Sequence, residues 1–227
     1  APVCAGTVAT GPLQVASTGL GTSGFVLTSN GSAALPSFQA SATGDVTGPV
    51  SSPDEALARW NGTGGDTLQD STVKVTDAGE MTNASQPAFL AYLAAQADNK
   101  TGNGAIYTLG TDALTEVFDQ GSDFNTNGTF TAPAAGKYRL ETHVTVTGCT
   151  IATSANYSIV TSNRSHIVQS ARAASNQNFG VMLSALADMD AADTATVTIQ
   201  VNGEAGDTDD IFGDAAAYTS YSGNLVG

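Results

Sequence analysis

Gly128-Thr-Phe130-Thr-Ala132-Pro133-Ala-Ala-Gly136-Lys-Tyr138-Arg-Leu140 reads as strand, tight turn, strand. Phe130 and Tyr138 are large apolar anchors on either side of the turn. Pro133 presets φ for it, and Gly136 supplies a backbone position that residues with side chains tolerate poorly. From here the pattern runs on as strand. Lys137 to Val146 alternates cleanly. Tyr138, Leu140, Thr142, Val144 and Val146 share one face, and Lys137, Arg139, Glu141, His143 and Thr145 the other. The first face is the expected core. Ala195 to Val201 repeats the alternation, with Val197, Ile199 and Val201 inward. Ser154–Thr161 and Phe179–Leu186 read as further strands.

Other segments lie on both sides of this stretch. Upstream are Pro87-Ala-Phe89-Leu-Ala91-Tyr92-Leu93 and Glu116-Val-Phe118-Asp-Gln-Gly121-Ser-Asp123-Phe124. Downstream is Tyr221-Ser222-Gly223-Asn-Leu225-Val226. Taken together, these resemble the C1q/tumour-necrosis-factor-like jelly roll. Its signature is G-x-F-x-A-P-x-x-G-x-Y and its closing strand is usually F-S-G-x-L-L. The resemblance covers residues 87–227. It implies an all-β jelly-roll sandwich, a trimeric binding knob and no catalytic centre. It also implies a trimer and core signature of Phe130, Pro133, Gly136, Tyr138, Tyr221 and Gly223. Gln86–Gln96 is ambiguous by composition, because its Ala and Leu content favours helix; the resemblance decides for strand.

Before residue 87 the sequence changes character. Residues 1–43 are rich in Gly, Ser, Thr and Ala, with scattered apolar positions (Val8, Leu13, Val15, Leu20, Phe25, Val26, Leu27, Leu35, Phe38) too sparse for an independent core. They read as an extended anchoring arm, with a turn at Asn30-Gly31. Residues 44–86 read as a small connector. Ser52 as N-cap, Pro53 at N1 and Glu55 at N3 compose a helix start, predicting a short helix over Ala56–Trp60. Thr67–Ser71 and Val73–Thr76 read as two short strands, closed by a turn at Asp77-Ala78-Gly79. The stretches 21–39 and 44–71 resemble modules of bacteriophage tail fibres and other virion appendages. An arm this poor in apolar residues takes an ordered shape only against other copies or a larger particle.

Composition narrows the function classes. The 227 residues carry a formal net charge of −14, so DNA or RNA binding is disfavoured. No apolar run approaches the ~20 residues that cross a bilayer, and no signal-peptide pattern opens the chain. The start at Ala1 leaves initiator-Met removal and earlier processing both open. Cys4 and Cys149 are far apart; free thiols are favoured over a disulfide, and metal binding by this pair is not expected.

Candidate chemistry is sparse. His143 and His166 are the two histidines. His143 lies outward beside Glu141, with neither nucleophile elbow nor Cys nearby, and reads as a surface or interface residue. The acidic run Glu204, Asp207, Asp209, Asp210 and Asp214 is the best metal candidate, since Ca²⁺ takes six to eight oxygen ligands. Its spacing is loose, so a solvated acidic loop is preferred to a Ca²⁺ site of Asp207, Asp209, Asp210 and Asp214. Asp188, Asp190 and Asp193 form a second acidic cluster. A polysaccharide depolymerase is disfavoured, because such spikes are usually long β-helices. The Asn-x-Ser/Thr positions (Asn30, Asn61, Asn83, Asn99, Asn127, Asn156, Asn163) are read as turn residues.

The resulting expectation is a non-enzymatic bacteriophage structural protein on the virion surface, without cofactor. It is a homotrimer whose residues 1–86 contact capsid or tail proteins and whose knob meets a host surface glycan or protein. A capsid decoration or cement protein is the alternative, and a secreted cytokine-like ligand a more distant one. Neither nucleic acid nor membrane insertion is expected.

Overall fold

The computed structural model describes residues 25–28, 37–40, 46–171 and 178–227. Cys4, the Asn30-Gly31 turn and most apolar positions of the arm lie outside them. Every regular element among the described residues is a strand. The chain divides into two compact units, with the boundary between Met81 and Thr82.

The larger unit is a jelly-roll sandwich. One sheet contains β6 (Ala88–Tyr92), β7 (Ala97–Thr101), β9 (Thr115–Gln120), β12 (Gly136–Thr147), β15 (Phe179–Met189), β17 (Asp209–Ile211) and β18 (Ser220–Leu225). The other contains β8 (Ile106–Thr108), β10 (Phe124–Asn125), β11 (Thr129–Thr131), β13 (Ser154–Thr161), β14 (Ser165–Ala171) and β16 (Thr194–Asn202). Pairing in the first sheet runs β15–β12–β18–β6–β9, all antiparallel. In the second it runs β10–β11–β16–β13–β14. Both are built from strands distant in sequence, the crossed order of a jelly roll.

The alternating residues of β12 and β16 close the sandwich. Tyr138, Leu140, Val144 and Val146 face Tyr157, Ile159, Val197 and Ile199 in one continuous core. Tyr138, Tyr157 and Tyr221 are among its largest fully buried side chains. Complete burial of one large apolar side chain contributes about 1.5–3 kcal/mol, so these rows dominate the stability of the unit.

The segment 128–140 does not form a hairpin. β11 belongs to one sheet and β12 to the other, so the Pro133 turn carries the chain across the sandwich. The turn is tied at both ends. Ala132 N–H donates to the Asp193 carbonyl at 2.8 Å, and the Tyr138 hydroxyl to the Ala134 carbonyl at 2.7 Å.

The smaller unit contains a hairpin of β1 (Phe25–Thr28) and β2 (Ser37–Ala40). A three-stranded sheet follows, β3 (Ala56–Trp60), β4 (Leu68–Val75) and β5 (Met81–Asn83), the last of which spans the unit boundary. The expected helix over Ala56–Trp60 is therefore a strand. Ala56 N–H donates to the Pro53 carbonyl at 3.3 Å, closing a turn, and Glu55 adopts φ 65°. A left-handed residue at that position stops helix propagation. The chain then pairs with β4, and the ladder overrides local helix propensity. Glu55, expected at N3 of that helix, instead accepts from Asp77 N–H at 3.3 Å. The two short strands expected over 67–76 are one strand, β4. The turn after it stands as expected, with Gly79 at φ 92°.

Candidate functional site

Four of the signature residues, Phe130, Tyr138, Tyr221 and Gly223, come together. Phe89 stacks on Phe124 and Phe130 with ring centroids 4.5 and 4.9 Å away, and meets the edge of Tyr221 at 5.0 Å. Phe130 packs against Tyr138 at 5.4 Å. Five aromatic rings from five strands thus form one cluster. Gly223 is required beside it: a Cβ there would lie 2.7 Å from Phe89 Cε1 and 2.8 Å from Leu140 Cδ2. Gly136, expected from the sequence to hold a backbone conformation closed to other residues, has no positive φ, and a Cβ there would meet the movable end of Leu225, with Cδ1 at 2.6 Å, and the Gly227 carbonyl oxygen at 3.1 Å. Pro133 is exposed at the corner. This cluster is a fold determinant. The Tyr221 hydroxyl is buried without a hydrogen-bond partner among the described residues, and burial pushes its pKa up.

The acidic residues are placed apart by the loops they brace. Glu204 is buried and accepts from Thr150, Ile151 and Ala152 N–H at 2.6, 2.8 and 2.9 Å, and from the Thr150 hydroxyl at 2.8 Å. Burial raises its pKa, but these hydrogen bonds outweigh it and hold the carboxyl below its ordinary value. Asp207 accepts from Asn103 N–H at 2.8 Å, Asp210 from Asn99 N–H at 2.7 Å and Asp214 from Ala216 N–H at 2.7 Å. Asp209 is fully buried and accepts from Cys149 Sγ at 3.4 Å. No group of three or more His, Cys, Asp or Glu is disposed to hold a metal ion among the described residues. In the second acidic cluster Asp188 pairs with Lys137, and Asp193 accepts from Asp190 N–H at 2.8 Å.

Three of the asparagines read as turn residues lie in strands, and Asn83 is the last residue of β5. Asn156 is a strand residue of β13, not a turn residue; its side chain donates to Gln200 and accepts from Gln169. Asn99 likewise lies within β7, although at φ 55°.

The outward face of the β15–β12–β18–β6–β9 sheet has an unusual make-up. Its register places Met182, His143, Ser220 and Tyr92 in one row. Ser184, Glu141, Ser222, Leu90 and Phe118 form the next. Leu186, Arg139 and Asn224 follow. Small hydroxyl residues occupy the middle strand and apolar side chains the flanks. Met182 is 76% exposed, Leu186 65% and Phe118 47%. His143 is half-buried on this face over Gly180, where a Cβ would approach its Nε2 to 3.1 Å. His143 was expected to face outward and does so.

No protein-family model matches the chain. No curated protein matches it either. Solved structures do. The globular domain of a zebrafish complement 1qA protein aligns over 63% of this chain and 98% of its own length, with 16% identity and a TM-score of 0.42. Murine APRIL aligns over 62% of this chain and 99% of its own, with 10% identity and a TM-score of 0.43. The PRD1 vertex protein P5 aligns over 74% of this chain and 86% of its own, with 11% identity and a TM-score of 0.47.

No helix among the described residues is long and apolar enough to cross a membrane.

Proposed function

We propose that this protein is a non-enzymatic, homotrimeric module of a bacteriophage virion surface. The jelly roll is the displayed knob, and residues 1–86 attach it to capsid or tail proteins. The observation that carries the reading is the state of the smaller unit. Across described residues 46–86 no side chain is buried. Val46, Val50, Leu57, Trp60 and Met81 are exposed. A three-stranded sheet with no covered face does not sustain itself in water. Its apolar residues call for other chains, and the appendage-like stretches 21–39 and 44–71 name the kind of chain. Leu90, Tyr92 and Phe118, on the β6–β9 side of the outward sheet face of the knob, support self-association there. Closed threefold symmetry makes such a contact finite.

The knob's role is contact with a host-surface molecule. A capsid decoration or cement protein is the second reading, and the uncovered β3–β4–β5 sheet favours it as an attachment element. Full-length protein and residues 87–227 should be mixed with particles lacking the protein and sedimented. The account expects the full chain to co-sediment and the knob to stay in the supernatant. Equal binding of both would refute the division of labour. Labelled antibody on intact virions then separates tail from head.

A further inference from the structure

We infer that the cleft between the β13–β14 turn and the end of β15 binds a carboxylate-bearing sugar of the hexuronic or nonulosonic acid class. This deepens the host-contact reading above by naming a ligand for the knob. The cleft has a volume of about 570 Å³, and its lining includes Lys137, Asn163, Arg164, His166, Leu186 and Asp188. That volume is in the range of ordinary ligand sites.

Charge is the first argument. The chain has 7 Lys and Arg against 21 Asp and Glu. Two of those cations and one of two histidines line this one cleft. Lys137 pairs with Asp188. Arg164 makes no ion pair with any described residue. Concentrating scarce cations where one is left uncompensated favours an anionic occupant.

The second argument is rigidity. The turn presenting Arg164 is pinned. Thr161 N–H and its hydroxyl both donate to the Arg164 carbonyl, at 2.8 and 2.9 Å. Arg164 N–H returns a hydrogen bond to the Thr161 hydroxyl at 3.0 Å. Asn163 is anchored to Asp193 at 2.6 Å. The backbone that carries the guanidinium is therefore held in place before a ligand arrives, which lowers the ordering cost of binding.

A guanidinium grips a carboxylate through two parallel hydrogen bonds. Asp188 adds an acceptor suited to sugar hydroxyls, and Leu186 an apolar surface for a ring face. A long polyanion would meet the repulsion of the remaining surface; one carboxylate on a neutral ring system would not.

The test is calorimetric titration of the full-length protein with N-acetylneuraminic acid and glucuronic acid, with glucose as the neutral control. Binding of an acid sugar is expected, weaker at high salt and absent for glucose. Arg164→Ala should weaken it at least tenfold and His166→Ala severalfold. Both variants should keep the wild-type melting temperature, since Arg164 is exposed and His166 half-buried. Absence of acid-sugar binding, equal binding of glucose, or full binding by Arg164→Ala would overturn the inference. A smaller sedimenting species for Arg164→Ala would also overturn it, by assigning the cleft to a carboxylate of a second copy. Particle co-sedimentation reads residues 1–86 instead, so the attachment reading stands or falls separately.

Discussion

The two units of this chain handle apolar side chains in opposite ways. From Thr82 onward, Phe89, Phe130, Tyr138, Tyr157 and Tyr221 are almost wholly removed from water. Before it, Trp60 is 51% exposed and Met81 72% exposed. Strand pairing alone is common to both, and the difference lies in whether a second sheet covers the first. The sandwich has two layers and closes its own core. The β3–β4–β5 sheet has one layer, with Leu57 and Trp60 left exposed. On the proposed reading the first kind of unit folds by itself and the second acquires its stability from neighbours.

Substitution should expose this asymmetry most sharply at Gly128 and Trp60. Gly128 has φ 84°, and a Cβ there would run into the Leu109 carbonyl oxygen. Gly128→Ala combines overpacking with left-handed strain and is expected to cost about 4 kcal/mol. Trp60→Ala should leave the unfolding of the knob within about 0.5 kcal/mol, as exposed positions do, yet weaken particle attachment. Denaturant unfolding of both variants checks the pair; comparable destabilisation would erase the distinction between the units.

Glu204 tests the loops at one end of the sandwich. Its folded pKa is depressed, so its contribution is present above the unfolded value near 4.5 and is lost as pH falls through the folded one. Glu204→Gln should cost about 2 kcal/mol at neutral pH, the scale of hydrogen bonds to a charged group. The gap to wild type should close progressively below pH 4.5. A gap independent of pH would show that the carboxylate charge is not what braces residues 150–152.

Tyr221 gives a small effect of the opposite sign. Its hydroxyl is buried without a partner among the described residues. Tyr221→Phe keeps the ring against Phe89 and removes a buried polar group, so stability should rise by about 1 kcal/mol. The closing-strand pattern that the sequence resembles has Phe at this position. Thermal melts of the two proteins decide the sign.

How legible all this was in the sequence varied with the physics of each element. β12 and β16 were readable because one face of each is buried along its whole length, which imprints a period of two. The aromatic cluster was readable as motifs, but its convergence depends on pairings between distant strands. β7 (Ala97–Thr101) and β17 (Asp209–Ile211) were not read, because they are short and polar and exist through pairing, β7 with β17 and β17 in turn with β12. The helix at 56–60 was misread because Ser-Pro-Asp-Glu serves a turn as well as a helix start. Glu204 looked like one member of an acidic run; its partners lie more than fifty residues away in the chain. Arg164 carried no motif at all, and the role proposed for it rests on the turn that holds it.

The central claim is that the chain works as a threefold assembly, with the β6–β9 side of the outward sheet face and the N-terminal strands covered by other copies. Sedimentation equilibrium of the full-length protein at micromolar concentration tests it directly. The account predicts a single species of three times the chain mass. A stable, well-folded monomer at that concentration would contradict it.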